Sequence, residues 1–284
     1  MLTLRELIAE YAQAGKGLGH FNISDSNQLH AVVGAAKETN LPVIVGLSEG
    51  EREFFPLAEV RMLIDHYQAQ GVQAYLNADH TYTVENVQHA ITDGVDSVVV
   101  DGAKLMFEEN AHLLNTAVKY ARASGRDVLV EGELGYIGSS SNVMETLPEG
   151  AAITEEMMTK PDELRALVEQ TGVDLVAPAV GNIHGIVTSG QPKLSIERIK
   201  TLKEAVSVPL VLHGGSGSPD EEFAAAVKAG IVIVHINTDL RVLYRDTLKT
   251  TLGGKETTPY KFLTPAVEAM QAYIAQKMAL FANQ

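Results

Sequence analysis

Three histidines, His80, His184 and His213, lie far apart in this chain, and each follows a short apolar run. Alone, such a histidine most often serves the core through a hydrogen bond. Gathered at one mouth of a barrel, three neutral imidazoles would hold a zinc ion and leave a coordination position open, as catalytic zinc sites do. Cysteine is absent, so sulfur ligands and disulfides are excluded and a metal must use imidazole and carboxylate. Asp79 directly precedes His80. Beside a cation its carboxyl can exchange a proton with an oxygen on carbon, or it can orient an imidazole; spacing leaves both open. On a regular strand the two side chains would point to opposite faces. The turns around Gly185 and Gly214-Gly215-Ser216-Gly217 allow close backbone approach to an anion, or are simple tight turns. His30, His66, His89 and His112 fall in helical patterns and read as solvated or packed.

Elements that alternate regularly would place these residues. Strands are predicted near Gly17–Asn22, Pro42–Ser48, Gln73–Ala78, Ser97–Asp101, Asp127–Glu133, Asp174–Val180, Pro209–His213 and Ile231–Ile236. Most are continuous apolar runs, as parallel strands covered on both faces require. Helical patterns lie between them, near Ser26–Glu38, Leu57–Gln70, Val84–Ile91, Glu108–Ala123, Pro161–Gln170, Ser195–Ala205 and Asp220–Ala229, with another at Thr264–Phe281. This alternation predicts a (β/α)8 TIM barrel of α/β class, with a doubly wound open sheet as the competing arrangement. The 284 residues read as a single domain, 1–284, since such barrels take about 250 residues. The connection between the fifth and sixth strands is long, and Gly135–Thr159 has little apolar periodicity; extended loops of this kind often serve as lids.

In such barrels chemistry sits at the C-terminal ends of the strands. Polar residues recur there: His20-Phe21-Asn22, Ser48-Glu49-Gly50-Glu51, Asp79-His80, Asp101-Gly102, Glu131 and Glu133, Asn182 and His184, His213, and His235-Ile236-Asn237-Thr238-Asp239. A net charge of −14 argues against a nucleic-acid groove, which needs a basic face. No apolar stretch approaches the roughly 18 residues of a membrane helix, and the first residues lack the pattern of a signal peptide. A cytoplasmic location is expected.

Seven ordered motifs together resemble the class II ketose-bisphosphate aldolases, the fructose- and tagatose-bisphosphate type: FNISDSNQLHAVVGAAKETNLPVIVGLSEG, ADH, VVVDGAKLMFEEN, VEGELG, TGVDLVAPAVGNIHG, VPLVLHGGSG and INTDLR. The resemblance runs nearly end to end. It implies a zinc-dependent lyase that reversibly cleaves a ketose 1-phosphate or 1,6-bisphosphate to dihydroxyacetone phosphate and an aldehyde. His80, His184 and His213 match the zinc ligands, Asp101 and Glu133 the family's second metal position, and Asp79 the acid–base group on the C4 hydroxyl. Asn22, Ser48, Gly185, Gly214, Gly215, Ser216, His235, Asn237, Thr238 and Asp239 match substrate-binding positions. The resemblance further implies a phosphorylated sugar as partner, extra C-terminal helices, and a homodimer or homotetramer.

The chain departs from the family pattern in several places. Where the lid usually reads GGxED, it has Gly138-Ser139-Ser140-Ser141-Asn142, with Ser141 in place of the glutamate. Glu145, Glu149, Glu155 and Glu156 are candidates to replace it. His235 replaces an asparagine, and Ala103-Lys104 replaces a small hydroxyl residue and a histidine. Pro265-Ala266-Val267 replaces a PAR segment whose arginine is associated with a distal phosphate. Lys261 and Arg52 are the candidate substitutes for that arginine. The rival readings are a non-catalytic family member that binds sugar phosphate or partners an active subunit, and a metal-dependent hydrolase. The latter fits less well, because its usual His-x-His opening is His20-Phe21-Asn22 here.

Overall fold

The computed structural model describes residues 1–284 except 139, 140, 148 and 152. The strands, in chain order, are β1 (Leu18–Asn22), β2 (Val43–Leu47), β3 (Ala74–Thr81), β4 (Ser97–Val100), β5 (Leu129–Leu134), β6 (Val143–Met144), β7 (Leu175–Pro178), β8 (Ile186–Val187), β9 (Leu210–Leu212) and β10 (Ile231–Ile236). All but β6 and β8 form a closed parallel barrel in the order β1-β10-β9-β7-β5-β4-β3-β2. The open-sheet alternative is thereby excluded, and the predicted barrel stands.

The helices are α1 (Leu4–Ala14), α2 (Ser26–Thr39), α3 (Glu49–Phe54), α4 (Leu57–Gln68), α5 (Val84–Thr92), α6 (Phe107–Ala123), α7 (Pro161–Thr171), α8 (Ile196–Ala205), α9 (Asp220–Ala229), α10 (Thr238–Leu252) and α11 (Pro259–Phe281). Two of these lack a clear sequence signal. α3 has six residues, and α10 buries only Thr238 and Leu240, too little for a visible apolar stripe. None of the described helices is long and apolar enough to cross a membrane.

The period-two alternation of a strand explains where the polar residues go. Outward residues such as Phe21, Val45, Leu76, Val98, Val130, Leu212 and Val234 pack in the large core that includes buried helix residues. Inside the barrel, Leu18, Ile44, Tyr75, Leu129, Leu175, Val211 and Ile233 close one end against Leu4, Leu7 and Ile8 of α1. Two residues further along, the same parity gives His20, Gly46, Asn77, Glu131, Ala177, His213 and His235. The barrel interior thus changes from an apolar floor to an upper layer rich in polar side chains, and this layer underlies the mouth.

The long connection after β5 is not featureless. β6 pairs in parallel with β8, Val143 opposite Ile186 and Met144 opposite Val187. Ile186 and Val187 follow His184 closely, so this clip joins the loop to the chain just past a predicted metal ligand.

Candidate metal centre

His80, His184, His213 and Glu133 each place a ligand atom within 4.8 Å of the others. Each imidazole is held at its other nitrogen. His80 Nδ1 lies 3.1 Å from Asp101 Oδ2, His184 Nδ1 2.8 Å from the Gly138 carbonyl, and His213 Nε2 2.6 Å from Glu131 Oε1. All three partners are acceptors, so each fixes an N–H on that nitrogen and leaves His80 Nε2, His184 Nε2 and His213 Nδ1 as ligands. His213 Nδ1 and Glu133 Oε1 are buried, 2.8 Å apart, and neither makes a directed hydrogen bond. Two orphaned buried ligand atoms beside two further imidazoles suit a divalent cation.

The electrostatics agree. Burial disfavours a charged His213, but Glu133 and Glu131 hold it protonated, well above the usual histidine range. Burial likewise opposes a charged His80, which Asp79 and Glu133 raise to about 9. Burial, with His80 and His213 close by, pushes His184 down to about 3. Glu133 is raised to about 7 by burial and by Asp101. Protons on two histidines therefore stand among Asp79, Asp101, Glu131 and Glu133, where a dication could replace them, and binding it would release protons.

Asp101 sits behind His80 rather than in the four-residue ligand set, and its other oxygen accepts the Ala103 N–H. Asp79 differs from the regular-strand expectation. His80 has φ 38°, and the β3–β4 register shifts between Ala78 and Thr81. This kink turns two consecutive side chains toward one cavity, where Asp79 Oδ1 lies 3.9 Å from His80 Nε2. Burial would raise the Asp79 carboxyl, but His80, His235 and His20 hold it well below the usual carboxylate range.

That cavity is lined by Asn22, Asp79, His80, Ser141, His184, Gly185, His213, Gly214, Ser216, His235, Asn237 and Thr238. Gly214 has φ 58°, and a Cβ there would meet the Ile183 carbonyl at 2.3 Å. Gly215 lies behind the cavity against Phe223 and the His235 backbone. Asp239 braces the loop: it accepts the Gly217 N–H at 3.2 Å and the Tyr273 hydroxyl at 2.7 Å. Ser216 Oγ accepts the backbone N–H groups of Asn237 and Asp239. The N-terminus of α10 at Thr238 lines the same cavity. Ser48 lies in an adjoining cleft with Glu49, Gly50, His80, Tyr82, Asp101, Ser141, His184 and Arg241.

His235 stacks on His20, with centroids 3.5 Å apart and planes 6° apart, and on His213 at 4.0 Å. Burial keeps both His20 and His235 below the usual range and therefore neutral. His20, Asp79 and His235 form another compact group, but parallel rings aim their lone pairs along parallel lines, which suits no shared ion. Gly46 makes this column possible, since a Cβ there would lie 2.1 Å from the His20 ring.

Sequence reasoning missed Glu131 as the acceptor behind His213, together with the contributions of Glu51, Arg241 and Tyr273. The signal for Glu131 was present, because it alternates with Glu133 along β5. Glu131→Gln should weaken metal binding about 10- to 100-fold, measured by competition with a chromophoric chelator; unchanged affinity would show that Glu131 does not orient the ligand. In the lid, Ser139 and Ser140 lie outside the described residues. Glu155 is held by Arg198 at 3.0 Å, and none of Glu145, Glu149, Glu155 and Glu156 lines either cavity of the site.

Comparison with known proteins gives a consistent picture. A family model described as fructose-bisphosphate aldolase class-II matches residues 2–284. A fructose-bisphosphate aldolase of Geobacillus stearothermophilus is 30% identical over 290 residues, covering 100% of this chain and 97% of the relative. The crystal structure of the YdjI aldolase from Escherichia coli K12 superposes with a TM-score of 0.84 at 29% identity, covering 98% of this chain and 96% of that one. A fructose-bisphosphate aldolase structure from Campylobacter jejuni, 23% identical with a TM-score of 0.75, shares the fold and covers 98% of this chain and 93% of that one.

Proposed function

The chain belongs to the class II fructose-bisphosphate aldolases, a metal-dependent lyase family of carbohydrate metabolism, and from that premise we propose a zinc aldolase acting on a ketose 1-phosphate. Its products would be dihydroxyacetone phosphate and an aldehyde without a distal phosphate. The observation that supports the zinc reading is the set of three imidazoles, each tied at one nitrogen, with the other nitrogen in a compact group with Glu133. An N/O donor set without sulfur suits zinc.

When bound, the metal supplies Lewis-acid polarisation of the ketone and its neighbouring hydroxyl oxygen. The chain supplies the rest. Asp79, anionic and beside the metal position, accepts the C4 hydroxyl proton as the C3–C4 bond breaks and returns it in the synthetic direction. Gly214, Ser216 and the start of α10 hold the phosphate. The buried Asn22 Oδ1 has no partner among the described residues and serves as an acceptor for a substrate hydroxyl. Among the described residues no lysine lines either cavity of the site, so a Schiff base has no support.

The distal half favours an uncharged group. Arg241 is the one arginine or lysine among the described residues lining the adjoining cleft, and its Nη2 is engaged by Glu51 at 2.5 Å. Arg52 is turned to Thr81 and Glu49. Lys261 pairs with Glu256 in an exposed segment, and Pro265 lies inside α11. A distal phosphate would therefore lack a dedicated partner, a loss of about 1.5–3 kcal/mol or roughly 10- to 100-fold. In a panel assayed for dihydroxyacetone phosphate release, ketose 1-phosphates should exceed the matching 1,6-bisphosphates in kcat/KM by that margin. Preference for a bisphosphate would overturn the distal assignment alone. A homo-oligomer follows from the family resemblance and is checked by sedimentation.

A further inference from the structure

Glu51 is buried at the mouth of the barrel, 5% exposed, and its side-chain contacts reach several parts of the site's rim. Its Oε2 accepts the Ser48 N–H at 2.7 Å, the Ser48 hydroxyl at 2.9 Å and Asn22 Nδ2 at 2.9 Å. Its Oε1 accepts Arg241 Nη2 at 2.5 Å and Asn237 Nδ2 at 3.4 Å. The ends of β1, β2 and β10 and the start of α10 thus meet on one carboxylate.

The Asn22 amide nitrogen that reaches Glu51 also donates to Asp79 Oδ2 at 2.9 Å. Its two N–H bonds diverge at a fixed angle, so anchoring one on Glu51 aims the other at Asp79. Because both neighbours are carboxylates, the amide cannot turn its oxygen toward either, and Oδ1 is left without a partner among the described residues. We propose that Glu51 is a positioning residue for carbon–carbon cleavage. Acting through Asn22, it fixes the rotation of the Asp79 carboxylate and keeps Asn22 Oδ1 available as an acceptor. The inference rests on the aldolase reading and on Asp79 as the group that handles the C4 hydroxyl proton.

Without Glu51 the amide is free to flip and present oxygen to oxygen, which displaces Asp79. A displacement of about 1 Å near the reacting atoms can cost on the order of 10²-fold. Glu51→Ala should therefore lower kcat for cleavage about 10- to 100-fold with KM changed by less than about 3-fold. Glu51→Gln keeps an acceptor for Asn22 and should recover most of the loss.

The experiment compares wild type, Glu51→Ala, Glu51→Gln, Asn22→Ala and the Glu51→Ala/Asn22→Ala double variant in their zinc-loaded forms. It measures cleavage, zinc content, Tm, and hydrogen–deuterium exchange at the hydroxymethyl carbon of dihydroxyacetone phosphate. That exchange breaks no carbon–carbon bond and involves no C4 hydroxyl, the group that Asp79 serves. The expected result is slow cleavage with retained exchange and zinc, and less than about a 2-fold further loss when Glu51→Ala is added to Asn22→Ala. Cleavage and exchange falling together, multiplying losses in the double variant, or an unaffected Glu51→Ala would each overturn the proposal. A wild type that performs neither cleavage nor exchange would instead overturn the aldolase reading on which it rests.

Discussion

Stripping the metal with a chelator should lower cleavage on the order of 10³-fold or more, and zinc should restore it. The expectation follows from the cavity lining among the described residues. The imidazoles of His80 and His213 are spoken for by carboxylates, and no lysine lines the cavity. Stripping should leave the fold intact, because the apolar floor and the outer core are built from other residues. His213→Ala should reproduce the loss of activity and add instability. It removes the ring between Glu131 and Glu133, and removing one partner of a buried charged pair costs about 3–5 kcal/mol. Full activity in protein shown by elemental analysis to be metal-free would refute the metal-centre assignment. Bound zinc without cleavage of any ketose phosphate would favour a sugar-phosphate-binding subunit.

Asp79→Asn should lower kcat about 10²- to 10⁴-fold, the range for loss of a positioned acid–base group. The substitution keeps the shape of the side chain and removes its ability to take a proton. Zinc content should be retained, since Asp79 is outside the His80, Glu133, His184 and His213 set. Dihydroxyacetone phosphate exchange should persist, which separates a proton-transfer role from the alternative of orienting a ligand. If Asp79→Asn loses zinc in proportion to activity, Asp79 belongs to the metal's support and another group must serve the C4 hydroxyl.

The barrel was legible because its strands are short apolar runs at regular spacing, and the three histidines because each ends such a run. The relation between Asp79 and His80 was not legible. It depends on a positive φ at His80 and a local register shift, which residue type alone does not announce. Glu131 could have been found by extending the alternation from Leu129. Glu51 could not, because its role depends on the ends of β1, β2 and β10 coming together around one short helix. The β6–β8 clip escaped notice because two residues carry no periodicity.

Gly46 and His20 have a consequence for how this sequence could have been reached by mutation. Any side chain at position 46 would strike the imidazole at position 20, so the two positions form an epistatic pair. A lineage carrying alanine at 46 would be barred from acquiring histidine at 20 until glycine arrived. Once the His20–His235 stack was in place, 46 could no longer drift. Gain is thus open in one order, glycine before histidine, and loss in the opposite one.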